Sequence, residues 1–273
     1  MYEEPYRWVE AVGNRRTYLD EQFKQGSPVV ALTYEHGLVL TTVSKGTPKL
    51  YEIYDRIALG GMGHPADLEK LRFTLLELSH TEGFNRSPSD VTGARLIRYG
   101  VAPVIKQAFE EVYKAPFIVK FLMAELGQKP SKDTLLTINY DGTFEETTGC
   151  AVLAATPAVE TAMSAYLRQE TSPNQALDHA IAAALRAWAL GDRAQRMADE
   201  DAERSDAKHT TELPAVPADA TALSAHVREH TAEKMIECAV LDRSRPGSSK
   251  YRALSSDELG QLLPVDLKAA FAS

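Results

Sequence analysis

Two strand-length runs, Pro28-Val29-Val30-Ala31-Leu32-Thr33-Tyr34 and Leu38-Val39-Leu40-Thr41-Thr42-Val43, are almost unbroken by polar side chains. Only Glu35-His36-Gly37 separates them, a turn in which glycine is free to take positive φ. A hairpin with one wet face alternates apolar and polar residues. This one does not, so its sheet must be covered on both faces. Any fold available to the chain therefore has a layer above and a layer below that hairpin.

The remaining segments supply those layers. Trp8, Val12, Leu19 and Phe23 recur at spacings of 4, 7 and 4 and predict an amphipathic helix from about Tyr6 to Phe23, stopped by Gly26. A β-like region runs from Lys49 to Leu59 and ends in Gly60-Gly61-Met62-Gly63. Two helices follow. The first spans about Pro65 to His80. The second starts at Ser89-Asp90 and runs to about Tyr113, with Ile97, Val101, Val104, Ala108 and Val112 inward and a kink at Pro103. Strands are expected at Phe117–Leu126 and Leu135–Tyr140, then a tight turn at Asp141-Gly142, with returns at Thr143–Glu146 and Cys150–Ala155. A second helix pair covers about Pro157–Arg168 and Pro173–Leu190, the latter opening on the Ser172-Pro173-Asn174-Gln175 capping pattern. Strands at Lys234–Leu241 and Lys250–Leu254 precede a short helix capped by Ser255 with Glu258 three residues on. Strand pairs alternating with helix pairs indicate α+β, with antiparallel sheets between helical layers.

One stretch fits none of this. Residues 189–250 contain no aromatic side chain, and Asp199-Glu200-Asp201, Glu203 and Asp206 form an acidic cluster broken by Pro214 and Pro217. Residues 192–226 are read as a frayed helical extension running into a solvated, mobile, acidic insertion. At 273 residues and 44% hydrophobic, the chain can bury a substantial core, and it reads as a single domain over residues 1–273. Its net charge of −8 argues against a nucleic-acid binder, which needs a basic face. No segment reaches the roughly 18 apolar residues that span a bilayer, and the start MYEEPYRWVE is not a signal peptide. With Cys150 and Cys238 in apolar runs, the expectation is a soluble cytoplasmic protein with buried thiols.

Phosphate-loop, dinucleotide, nucleophile-elbow and H-E-x-x-H motifs are all missing. His226 and His230 stand four apart, but two ligands do not make a metal site, and they are read as solvated histidines. No metal or cofactor is expected.

The most informative strings are VVALTYEHGLVL (29–40), KLYEIYDRIALGGMG (49–63), SDVTGARL (89–96), INYDGTFEE (138–146) and AVLDRSRP (239–246). In their order and spacing the chain resembles the alpha subunits of bacterial, actinobacterial-type proteasomes, from Pro5-Tyr6 almost to the last helix. The 192–226 insertion is the main departure. The resemblance implies the four-layer αββα sandwich of the N-terminal-nucleophile hydrolases.

In catalytic members of that superfamily a threonine, freed by cleavage after a glycine, attacks with its own amine as base, helped by an aspartate and a lysine. Here those positions fall at Ser27 after Gly26, at Val43 and at Lys49. Val43 cannot take a proton, Pro28 removes an amide donor, and residues 1–26 look like a packed helix rather than a disposable leader. The resemblance therefore implies a non-catalytic subunit of a threonine-type peptidase complex. The alternative is a self-processed hydrolase using Ser27 and Lys49.

By the same resemblance, Lys49 and Gly63 belong to a pocket between ring neighbours that takes the C-terminal carboxylate of an activator tail. Met1, Tyr2, Glu3, Glu4, Pro5 and Tyr6 form a gate. The implied partners are copies of the chain in a seven-membered ring, beta-type catalytic subunits, and a ring-shaped AAA ATPase. Tyr54-Asp55-Arg56 is expected within a strand and is not the N-terminal gate motif of other alpha subunits. Trp8 and Phe23 are expected to be exposed on the first helix, seeking a neighbour.

Overall fold

The computed structural model describes residues 4–111, 113–204, 219–232 and 234–268. Helix α1 (Glu4–Phe23) leads into β1 (Val29–Tyr34), β2 (Gly37–Ser44), β3 (Leu50–Tyr54) and β4 (Ile57–Gly63). Helix α2 (Pro65–Asn85), the short turn α3 (Gly93–Arg95) and α4 (Ala102–Glu110) precede β5 (Val119–Glu125), β6 (Thr134–Ile138), β7 (Phe144–Thr147) and β8 (Cys150–Leu153). Helices α5 (Pro157–Glu170), α6 (Leu177–Arg204) and α7 (Ala220–Thr231) lead to β9 (Met235–Asp242), β10 (Tyr251–Ala253), α8 (Ser256–Leu262) and α9 (Val265–Lys268).

The strands form two five-stranded antiparallel sheets, ordered β10-β9-β2-β1-β8 and β3-β4-β5-β6-β7. Strand alternation sends each sheet's side chains into two different cores. From β1, Val30, Leu32 and Tyr34 meet α5, α6 and α7, while Val29 and Ala31 face the other sheet. From β5, Val119, Phe121 and Met123 meet α2 and α4, while Leu122 and Ala124 face the first sheet. Three buried clusters separate four layers, so the chain is a four-layer αββα sandwich of the α+β class. The apolar hairpin is covered on both faces, as its composition required.

Several local expectations shift. The Lys49–Leu59 region is two strands, with Asp55-Arg56 as the turn, so that tripeptide is not within one strand. Thr92, not Ser89 or Asp90, caps the helical region before α4, its hydroxyl accepting from the Arg95 N–H. Pro103, having no N–H, gives not a simple kink but a π turn at Leu96–Val101. The wider turn advances the register: Val101, Ile105 and Phe109 point inward and Val104 is 39% exposed. Val112 lies outside the described residues.

Helix α6 begins at Leu177 rather than Pro173 and continues past Leu190 to Arg204. Helix α7 buries Leu223 and Val227, so both described ends of the 192–226 segment are helical rather than solvated loop; residues 205–218 lie outside the described residues. Ser255 and Glu258 make the expected capping box. Phe23, expected on the surface, is fully buried between the sheets, while Trp8 is 46% exposed. Both cysteines are buried and free, and burial pushes the Cys238 thiol up to about 12.

Candidate functional site

The link Gly26-Ser27-Pro28 joins α1 to β1. The Gly26 N–H donates to the Phe23 carbonyl (2.9 Å), ending the helix, and a Cβ at Gly26 would lie 2.3 Å from the Met62 side chain. The Ser27 hydroxyl accepts a hydrogen bond from Trp188 Nε1 at 2.8 Å, and the Thr42 hydroxyl donates to the Pro28 carbonyl at 2.7 Å. Val43 is fully buried in the core beneath α5–α7. Ser27 is thus an acceptor for an indole, and Val43, at the position of the catalytic aspartate, cannot take a proton.

Lys49 lies where the two sheets meet. The Gly61 N–H donates to its carbonyl (2.9 Å), while the N–H groups of Lys49 and Leu50 both donate to Glu237 Oε2 of β9, at 2.8 and 3.2 Å. One carboxylate therefore staples the start of β3 to the other sheet. Burial lowers the Lys49 ammonium to about 8, opposed by Glu237 and aided by Lys234 and Lys45. Gly63 lies at the same end of the β3–β4 hairpin, two residues beyond Gly61. It holds φ at +130°, and a Cβ there would come 2.0 Å from the Ile118 carbonyl oxygen. The backbone that Gly63 admits is this chain's own.

Of the six expected gate residues, Met1, Tyr2 and Glu3 lie outside the described residues, and Glu4, Pro5 and Tyr6 form the first turn of α1. The C-terminal part of that helix is firmly docked. Leu19 and Phe23 enter the inter-sheet core, where Phe23 stacks on Tyr140 at 5.7 Å. Arg15 donates from Nη1 to the carbonyls of Ala108 and Phe109 (each 2.9 Å) and from Nη2 to those of Glu111 (2.7 Å) and Lys114 (2.5 Å). Its guanidinium thus serves carbonyls at and just beyond the end of α4, of which that of Glu111 also accepts from the Lys114 N–H. Asp20 accepts from the Tyr140 hydroxyl at 2.8 Å.

Sequence reasoning passed over three groups. Arg15 has no local signal, because its partners lie about 95 residues away. Lys120 does have one, as a lone cation in the apolar strand Phe117–Leu126. It is 3% exposed and donates to the Ala154 carbonyl (2.8 Å) and to Glu160 Oε1 (3.3 Å), with its ammonium 5.2 Å from the Phe23 ring. His226, expected in solvent, is nearly buried: its Nε2 lies 2.9 Å from Asp192 Oδ2, and its ring is 4.1 Å from that of His230. Burial alone would raise the Asp192 carboxyl, but hydrogen bonds from His226 and Arg196 hold it at about 2. Among the described residues no group of three candidate ligands converges as a metal site, and no helix is long and apolar enough to cross a membrane.

Comparison with known proteins agrees with this architecture. A family described as proteasome subunit matches residues 23–196. The "Proteasome subunit alpha" of Jonesia denitrificans is 27% identical over 250 residues, covering 91% of this chain and 92% of that protein. The protein of the same name from Streptosporangium roseum is 29% identical over 264 residues, covering 95% and 86%. That from Thermobifida fusca is 25% identical over 252 residues, covering 92% and 86%. With the four-layer sandwich and a family match over most of its length, the chain belongs to the proteasome subunit family.

Proposed function

We propose that the chain is a non-catalytic, alpha-type subunit that forms the outer, seven-membered ring of a cytoplasmic proteasome core particle. In this reading it caps rings of beta-type catalytic subunits, gates substrate entry with Met1–Tyr6, and receives the C-terminal tails of a ring-shaped ATPase at a pocket containing Lys49 and Gly63. The observation that carries the non-catalytic part is the seam at Ser27. An autocatalytic subunit needs a free amine at that residue. Here the preceding helix is anchored by Arg15, Leu19 and Phe23, and the Ser27 hydroxyl is engaged by Trp188. The alpha naming of the relatives supports the same assignment.

Two measurements test it. The intact mass of the purified full-length chain should match a start at Met1 or Tyr2; a chain beginning at Ser27 overturns the proposal in favour of a self-processed hydrolase. Lys49→Ala subunits, assembled with beta-type subunits, should cleave short peptides normally yet lose stimulation by tail peptides. A charge-assisted hydrogen bond contributes about 1.5–3 kcal/mol, or roughly a tenfold or greater loss of tail affinity. Full stimulation of the Lys49→Ala particle would remove Lys49 from the pocket.

A further inference from the structure

Ser27, in the link between α1 and β1, is held from α6 by the Trp188 indole N–H at 2.8 Å. Trp188 is fully buried, so losing that acceptor would leave a buried donor unpaired. What packs against the indole is a charged cluster built by α6 and α7. The ring of His226 lies 6.3 Å from that of Trp188, and the Lys234 ammonium lies 5.9 Å from the indole centre. His226 Nε2 is 2.9 Å from Asp192 Oδ2, the same oxygen that accepts from Arg196 Nε at 2.6 Å. One turn further along α7, the ring of His230 lies 4.1 Å from that of His226.

This arrangement has room for one proton on the ring pair and not for two. Asp192 can neutralise one imidazolium. A second imidazolium at 4.1 Å is a like charge in contact with the first, with Arg196 and Lys234 close by. Lys45, the residue after the last β2–β9 pair, adds positive charge beside Lys234. Against these stand Asp192, already shared, and the exposed Glu229, while Arg228 of the same helix is engaged on the Asp266 carbonyl of α9. The carbonyl end of α7 attracts a cation at His230, but burial, His226 and Arg196 outweigh it and lower the basicity of that ring.

A second proton is therefore accommodated by separating the two rings at the end of α7. That end runs directly towards β9 through a turn in which the Lys234 N–H donates to the Thr231 carbonyl at 3.0 Å. Displacing it moves both His226 and Lys234 off the indole.

We propose that Asp192, His226, His230 and Trp188 form a proton-sensitive latch on the Ser27 link, closed while the ring pair carries at most one proton and opened by a second. Opening frees the indole from Ser27 and loosens the base of α1. The latch lies in the body of the chain and does not depend on the Lys49 pocket. Since the closed form resists the second proton, it is favoured above the ordinary imidazole value of 6.5 and loses ground as pH falls below it. One proton taken up on opening raises the opening equilibrium by about fivefold to tenfold between pH 7.5 and 5.5.

The test is native-state amide exchange of the full-length protein at those two pH values, corrected for the intrinsic pH dependence of exchange. The Gly26 amide, bonded to the Phe23 carbonyl, should open about fivefold to tenfold more often at pH 5.5, while the Val30 and Leu32 amides of β1 hold. His230→Gln should abolish the rise, and Ser27→Ala should give fast Gly26 exchange at both pH values. In a Trp8→Phe chain, where Trp188 is the sole indole, its emission should change over the same range. That measurement needs no histidine variant, and flat emission overturns the latch. So does a Gly26 rate that is insensitive to pH, or one left unchanged by Ser27→Ala. A rise that persists in His230→Gln places the proton elsewhere and overturns it. A rise shared equally by Val30 and Leu32 is general acid loosening of the fold and also overturns it.

Discussion

Two helical elements lie outside the plain alternation of strand pairs and helix pairs, and they are held by different physics. Helix α7 is fastened along its length. Leu223 and Val227 enter the core, Asp219 caps its start, and Asp266 of α9 gathers Ser224 (2.6 Å) and Arg186 (3.0 Å) while its carbonyl accepts from Arg228 (2.7 Å). Helix α1 is buried mainly at its C-terminal end. Leu19 and Phe23 are buried and Arg15 grips the end of α4, but Val9 is 63% exposed. An element anchored throughout moves with the body. A helix buried mainly at one end leaves apolar side chains exposed towards the other. The exposed Trp8 and Val9 are where a ring neighbour would pack.

The most damaging way to break this contrast is Arg15→Ala. It strips partners from four carbonyls at once, and we expect a loss of about 3 kcal/mol, given that hydrogen bonds to charged groups contribute roughly 1.5–3 kcal/mol and this set is partly exposed. Urea unfolding measures the loss, and amide exchange should show protection falling in α1 while α7 is unchanged. Equal loss of protection in both helices would dissolve the distinction. Arg15→Lys should recover less than half, since an ammonium lacks the planar fork that serves several carbonyls.

Asp192→Asn probes the other side with a smaller effect, about 2 kcal/mol. With its carboxyl held at about 2 against an ordinary 3.8, Asp192 contributes stability that is complete above the ordinary value. That contribution disappears as pH falls from 3.8 towards 2, and the asparagine variant should lack this part of the acid response.

The smallest effect concerns His230. Burial, then the neighbouring His226 and Arg196, lower its basicity below the usual 6.5, so the unfolded chain binds the extra proton more readily. Stability should therefore be fully present above pH 6.5 and decline below it, and His230→Gln should flatten that slope in urea midpoints compared at pH 7.5 and 5.5. An unchanged slope would mean that the paired rings do not sense acid.

The apolar hairpin showed the layering in advance because burial on both faces is written into consecutive residues. The inward stripe of α1 was legible for the same reason, though not which of its members would be covered: Phe23 is hidden by the sheets and Trp8 is not. Ser172-Pro173 misled because a good capping pattern is only a local preference, and the chain delays α6 to Leu177. Pro103 signalled a disturbance but not its kind, since bending and a π turn both relieve a missing N–H. At the candidate site, the tie from Glu237 to the Lys49 backbone was not legible, because 188 residues separate the two.

Lys120 carries a consequence for how the sandwich closes. It projects from the second sheet, yet its partners are the Ala154 carbonyl just after β8 of the first sheet and Glu160 on α5. Apolar faces alone tolerate many offsets, because one aliphatic contact is much like another. A buried ammonium does not: shifted by one strand repeat it would sit in hydrocarbon without acceptors, at a cost of several kcal/mol. Lys120 therefore acts as an alignment pin, admitting one sliding position of sheet on sheet and making near-miss stackings unstable, with the Phe23 end of α1 lying over it.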